Sequence, residues 1–170
     1  AILATIISQF YVNDTVSAAG INSDQNHSLK YRRMVDNSRY VAINNDAVFV
    51  QYDKVLRMVA PLTAGGRIEC LCFNPETQDI YIGGSFTEVK GVACSNIARI
   101  SSTDWSDPNV AVSINNLYGG FDDIVHDIAW IDYNIYAVGN FNNNGANPIS
   151  KVARLDGAGW VSIAVSTLNN

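Results

Sequence analysis

The chain has 170 residues, a formal net charge of −5 and a charged fraction of 16%, with 48% apolar residues. That length supports one domain with a sizeable core. The acidic balance argues against nucleic acid, because a phosphate-binding surface needs clustered Lys and Arg.

The opening run AILATII is apolar but short and follows no basic region, so it reads as an edge strand or a trimmed precursor end, not as an intact signal peptide. No apolar run reaches the length of a membrane span. A strand is expected over Ile6 to Val12, followed by the polar run NDTVSAAGINSDQNHS, which lacks either periodicity and reads as loop. Its two sequons, at Asn13 and Asn26, are no more than the abundance of Asn, Ser and Thr gives by chance. The basic cluster Lys30-Tyr31-Arg32-Arg33 reads as a solvated patch before a strand.

From Tyr40 onward a pattern recurs. The stretch IECLCFNPETQDIYIGGSFTEVKGVACSNIARI, from Ile68, returns from Val125 as VHDIAWIDYNIYAVGNFNNNGANPISKVARL. At a constant offset of about 55 residues, Ile80-Tyr81 meets Ile135-Tyr136, Gly84 meets Gly139, Phe86 meets Phe141, Arg99 meets Arg154 and Trp105 meets Trp160. A sustained match at fixed offset is the signature of a repeat architecture. A shortened copy precedes the two full ones: Val41 and Ile43 align with Ile128 and Trp130, Val48-Phe49-Val50 with Ile135-Tyr136-Ala137, and Lys54 to Met58 with Lys151 to Leu155. The expected division is an extension over 1–37, a reduced repeat over 38–66, and repeats over 67–120 and 121–170, all one β domain.

Each full copy carries four short segments rich in Ile, Val and Tyr and bounded by Asn, Asp, Gly and Pro. They are 68–73, 79–83, 96–100 and 110–114, matched by 125–130, 134–138, 151–155 and 161–165. The apolar runs are nearly continuous, which suits strands covered on both faces. No stretch has a sustained helical stripe. The fold class expected is therefore all-β: tandem four-stranded antiparallel blades, part of a β-propeller or propeller-like array. Two and a half blades do not close a ring, so either a longer chain or a partner covering the open edges is expected.

The recurring residues have structural readings. Gly84 and Gly139 answer a close approach or a positive φ. Phe86 and Phe141 fold the long loop back onto the blade. Arg99 and Arg154 are expected to be buried and to tie neighbouring loops together, bonded to carbonyls or to a carboxylate such as Asp79 or Asp156. Residues that recur in every copy, Trp105 and Trp160 among them, serve the repeat and not one active site.

The pattern in IYIGGSFTEVKGVACSNIARI with Trp105, and in IYAVGNFNNNGANPISKVARL with Trp160, is similar to the kelch-like "delta-60" propeller repeat over residues 38–170. Such repeats occur in secreted bacterial proteins, fungal cell-surface proteins and some large DNA viruses, where they look like adhesion, scaffold or surface modules. The resemblance brings no family-wide catalytic residues. Val138 departs from it, standing where the first Gly of the Gly-Gly pair would be, and residues 1–37 have no counterpart.

Candidate chemistry is sparse. Asp122, Asp123, His126 and Asp127 fall within seven residues, and oxygen-rich loops can hold calcium. The turn after Gly119-Gly120, and Glu69 at the counterpart of His126, favour a solvated turn. His27 and His126 are too few for zinc or copper sites, and no serine sits in a nucleophile elbow. Cys70, Cys72 and Cys94 read as free buried thiols, with a Cys70–Cys94 or Cys72–Cys94 bridge left open. No cofactor and no catalytic residue is expected. The function expected is a structural or interaction module of a surface, secreted or virion assembly, with other protein subunits or the rest of a longer chain as partners. The alternative is an enzyme or a carbohydrate binder using loops 121–127 and 140–148, where Asn140, Asn142, Asn143, Asn144 and Asn147 could contact a glycan.

Overall fold

The computed structural model describes residues 31–36, 39–52 and 55–163. The expected strand at Ile6–Val12, the polar loop with its sequons and His27, and residues Lys30, Lys54 and 164–170 lie outside the described residues. Among those described there is no helix, and none long and apolar enough to cross a membrane.

The described residues are all-β and form three four-stranded antiparallel sheets. The first contains β1 (Tyr31–Asp36), β2 (Arg39–Ile43), β3 (Ala47–Tyr52) and β4 (Val55–Pro61) in that order. The second contains β5 (Gly66–Phe73), β6 (Ile80–Phe86), β9 (Ile97–Ser101) and β10 (Ser113–Asn115); a small hairpin of β7 (Glu88–Val89) and β8 (Val92–Ala93) stands between β6 and β9. The third contains β11 (Val125–Ile131), β12 (Asn134–Gly139), β15 (Val152–Asp156) and β16 (Gly159–Ser162); the hairpin of β13 (Asn143–Asn144) and β14 (Asn147–Pro148) stands between β12 and β15. Each sheet is a meander, and among the described residues the three do not close a ring.

The second and third sheets follow one plan in detail. Tyr81 pairs with Arg99 as Tyr136 pairs with Arg154, and Ile82 with Ala98 as Ala137 with Ala153. Both first strands carry a register shift, between Ile68 and Cys70 in β5 and between Val125 and Asp127 in β11. The residue left over at each bulge is Glu69 in one and His126 in the other.

The first sheet differs from the sequence reading. It has four strands, not a reduced set, and Tyr31–Arg33 lies on one of them instead of preceding it. The correspondence also moves by one strand. β11 packs on β5 and β6, and β5 in turn packs on β1 and β2. So β1 holds the place of β5, and β2 that of β6. The loop entering β3 agrees: Asn45 accepts from the Ile68 amide, just as Ser95, before β9, accepts from the Phe121 amide. The one-strand difference has a physical reason: every strand here is a short apolar run, and the loop carrying Phe86 or Phe141, which marks the register in the other two sheets, has no equivalent in the first.

Alternation of side chains across the middle sheet divides the core in two. Ile68, Leu71, Ile80, Ile82 and Ala98 join Val41, Ile43, Val48 and Val50 of the first sheet. Cys70, Cys72, Tyr81 and Ile97 face the other way and join Val125, Ile128 and Ile135 of the third. Both faces of the middle sheet are thereby buried, as its nearly continuous apolar strands require.

The three cysteines form no disulfide and are buried, with Cys70 and Cys72 in one half of the core and Cys94 in the other. Burial pushes the Cys70 thiol well up and the Cys94 thiol to about 11. These thiols should therefore stay silent to a disulfide reagent in buffer near neutral pH and react only in denaturant, at the rate of unfolding. Rapid labelling of Cys70 or Cys72 in the native protein would show that the second and third sheets separate.

Candidate functional site

The recurring residues occupy structural positions. Gly84 needs no positive φ; a Cβ there would lie 2.0 Å from the Arg67 carbonyl oxygen, and one at Gly139 would lie 2.2 Å from that of Ile124. In both cases the neighbouring strand's bulge brings backbone against the glycine. Phe86 and Phe141 are buried, and Phe141 stacks on Phe121 with ring centroids 3.9 Å apart, which draws the linker between sheets onto the third sheet. Phe121 also meets Trp160 at 4.8 Å.

The two tryptophans match in sequence but not in place. Trp160 lies on β16 and donates to the Leu117 carbonyl, whereas Trp105 lies in the turn before β10 and donates to the Gln78 carbonyl. The position across from Leu155 is held by Trp160, and the position across from Ile100 by Ile114. The longer excursion between β9 and β10 displaces Trp105 into a different role.

Arg99 and Arg154 are the clearest departure from expectation. Their side chains are 36% and 37% exposed, and each faces a carboxylate named in advance, Asp79 at 3.9 Å and Asp156 at 3.8 Å. The Nε atom of each is buried without a hydrogen-bond partner. Asp156 lies on Arg154's own strand and Asp79 directly precedes β6 of Arg99's own sheet, so neither ion pair joins one sheet to the next. Half-exposed pairs at this separation contribute about 0–1 kcal/mol.

The acidic segment is taken up by local structure. Asp122 accepts from the amides of Asn142 and Asn143 and from Asn143 Nδ2. Desolvation raises its pKa, and the bonds from Asn143 and Asn142 outweigh that and leave it lowered. Asp123 and Asp127 accept from the amides that follow them. Among the described residues no group of three or more His, Cys, Asp and Glu side chains converges. The Asn-rich loop is similarly committed: Asn144 is buried, and its amide nitrogen donates to the carbonyls of Tyr118 and Gly120.

His126 and Glu69, equivalent in the repeat, meet each other across two sheets at 3.1 Å, with Arg67 on the far side of Glu69. The contact exists because the bulge in each first strand turns its extra residue to the same side. Burial raises the Glu69 pKa, but the bonds from His126 and Arg67 outweigh it and hold the carboxyl below its usual 4.5. A depressed folded-state pKa stabilises fully above the unfolded value and loses that contribution as pH falls through the folded one. Stability of the parent should therefore drop below pH 4.5 by about 0.2–1 kcal/mol more than that of Glu69→Gln. Thermal melts at pH 3 and pH 6 would check this.

The remaining candidate surface is the far face of the third sheet. Asp127, Ala129, Tyr136, Val138 and Val152 stand where the middle sheet has Cys70, Cys72, Tyr81, Gly83 and Ile97. Ala129 and Ile131 pack there against Tyr136, and Val138 and Val152 are half-buried. No described sheet lies on this face. The departure at Val138 now has a physical reason: a Cβ on Gly83 would lie 2.6 Å from Val125 of the third sheet, so only glycine lets β11 settle there. Val138 points away from the middle sheet, where that restriction is absent.

No family model matches the chain, and no curated protein matches it.

Proposed function

We propose that this protein is a non-enzymatic interaction module, a propeller-like array of blade sheets that docks another protein subunit on the far face of its third sheet. The observation that carries this reading is the register of that face. It repeats, position for position, the face of the middle sheet that the third sheet covers, and it keeps an apolar cluster of Ala129, Ile131 and Tyr136. Ala129 and Ile131 are already buried in that cluster, and the half-buried Tyr136, Val138 and Val152 around them are the side chains a docked subunit would finish covering. Val138 replaces the glycine that permits the closest approach, so the occupant stands further off than one sheet of this chain stands from the next. A surface, secreted or virion assembly is the setting that fits a module of this kind.

Light scattering on the species purified from its native source tests the proposal. Its native mass should exceed the mass of its own chain read under denaturing conditions, and Val138→Lys should return it to that single-chain value with the fold intact. A parent of single-chain mass, indifferent to Val138→Lys, would refute it.

A further inference from the structure

We infer that the cleft between the second and third sheets, on the side of the turn joining β11 to β12, is a binding site for a neutral saccharide. This site is separate from the docking face proposed above and from loops 121–127 and 140–148. The cleft measures about 520 Å³, within the roughly 300–1,000 Å³ that small-molecule sites occupy.

Two tyrosines border it, and both are held in an unfavourable backbone conformation. Tyr133 has φ 65° and Tyr118 φ 63°, the left-handed region where glycine or asparagine is the cheaper residue. Tyr133 is the second residue of a two-residue turn, closed by the Ile131–Asn134 pair, whose other residue, Asp132, also has positive φ. Turns of this kind ordinarily use Asn-Gly or Asp-Gly. A bulky residue in its place, 77% exposed, contributes nothing visible to packing except an edge contact with Trp130 at 6.0 Å. Tyr118 is half-exposed, and its hydroxyl donates to the Gly157 carbonyl, which fixes it as a wall of the cleft. Residues kept in strained conformations with exposed side chains cluster at ligand sites.

The polar groups identify the ligand class. Asn115 and Asn116 each spend the side-chain oxygen on a backbone amide, which leaves the amide nitrogen as a donor. Arg99 and Asp156 add a donor fork and an acceptor pair. Their charges oppose each other, and each already has a partner in its own sheet, so the cleft has no net attraction for an anionic ligand. Aromatic surfaces with an apolar body and a polar tip, beside fixed amide and carboxylate groups, match a pyranose, which presents an apolar ring face and a rim of hydroxyls that both donate and accept. A proline-rich peptide would use the aromatic rings but leave most of these polar groups without partners.

The test uses the full chain on an array of neutral glycans, followed by titration of the best neutral oligosaccharide monitored by Trp130 fluorescence. Binding in the micromolar to millimolar range is expected. Tyr133→Asn should weaken it at least tenfold while the melting temperature stays the same or rises, because asparagine suits that backbone better. Asn116→Ala should weaken it severalfold. Val138→Lys, on the docking face, should leave it unchanged, which separates this inference from the proposed function. The inference is overturned by the absence of any neutral-glycan binding, by affinity that survives Tyr133→Asn, or by binding confined to acidic glycans or proline-rich peptides.

Discussion

Phe141→Ala is expected to destabilise the protein by about 4 kcal/mol, the middle of the range for emptying a buried aromatic site. Phe141 is fully buried and stacks nearly parallel on Phe121, at 13°, and Phe121 touches Trp160. Removing the ring therefore opens a cavity under the linker that joins the second and third sheets. In a chain of this size the loss corresponds to roughly 8–16 °C in melting temperature. Calorimetry would measure it, and the emission of Trp160 should shift to the red as water reaches the gap. A loss below about 1 kcal/mol would mean that the linker is not held by this stack.

Gly84→Ala comes next, with an expected cost of about 3 kcal/mol. The added methyl would lie 2.0 Å from a backbone carbonyl oxygen and 3.0 Å from the Glu69 amide nitrogen, so the adjoining strand must move at its bulge. Gly139→Ala should behave alike, since the Ile124 carbonyl stands in the same relation to it. Val138→Gly offers the contrast. It sits beside Gly139 on the same strand, but its only loss is β-propensity and a half-covered side chain, about 1 kcal/mol. Denaturant melts of the three variants would rank these costs. Equal effects at 84 and 138 would show that the glycines serve the strand and not the close approach.

The legible part of the fold was the part with sequence punctuation. Gly84, Phe86 and the Ile-Ala-Arg run fixed the second and third sheets to within a few residues per strand, and alternation across β5, β6 and β9 accounts for their double coverage. Where punctuation is missing, the reading slipped. The first sheet has neither the glycine nor the long loop, so nothing in its sequence marks which strand is which, and β1 has no punctuation to separate it from the extension. Trp105 and Trp160 match at the repeat offset, yet the longer path to β10 separates their roles, because an offset counts residues and not strand positions. The arginines' carboxylate partners were legible from charge and spacing, but their exposure was not, since burial of an edge-ward strand depends on what lies beyond it. The cleft was invisible in sequence: its walls come from turns about 15 residues apart in two different repeats, and its distinguishing feature, tyrosine at positive φ, is a backbone property.

Hydroxyl-radical footprinting of the native species tests the central claim, that the third sheet's far face is an interaction surface, most directly. The account predicts that Tyr136 and Val152 are shielded in the parent assembly and become labelled in the Val138→Lys chain, while Tyr133, across the sheet, labels equally in both. Equal labelling of Tyr136 in parent and variant, with protection confined to residues 121–127 and 140–148, would contradict it.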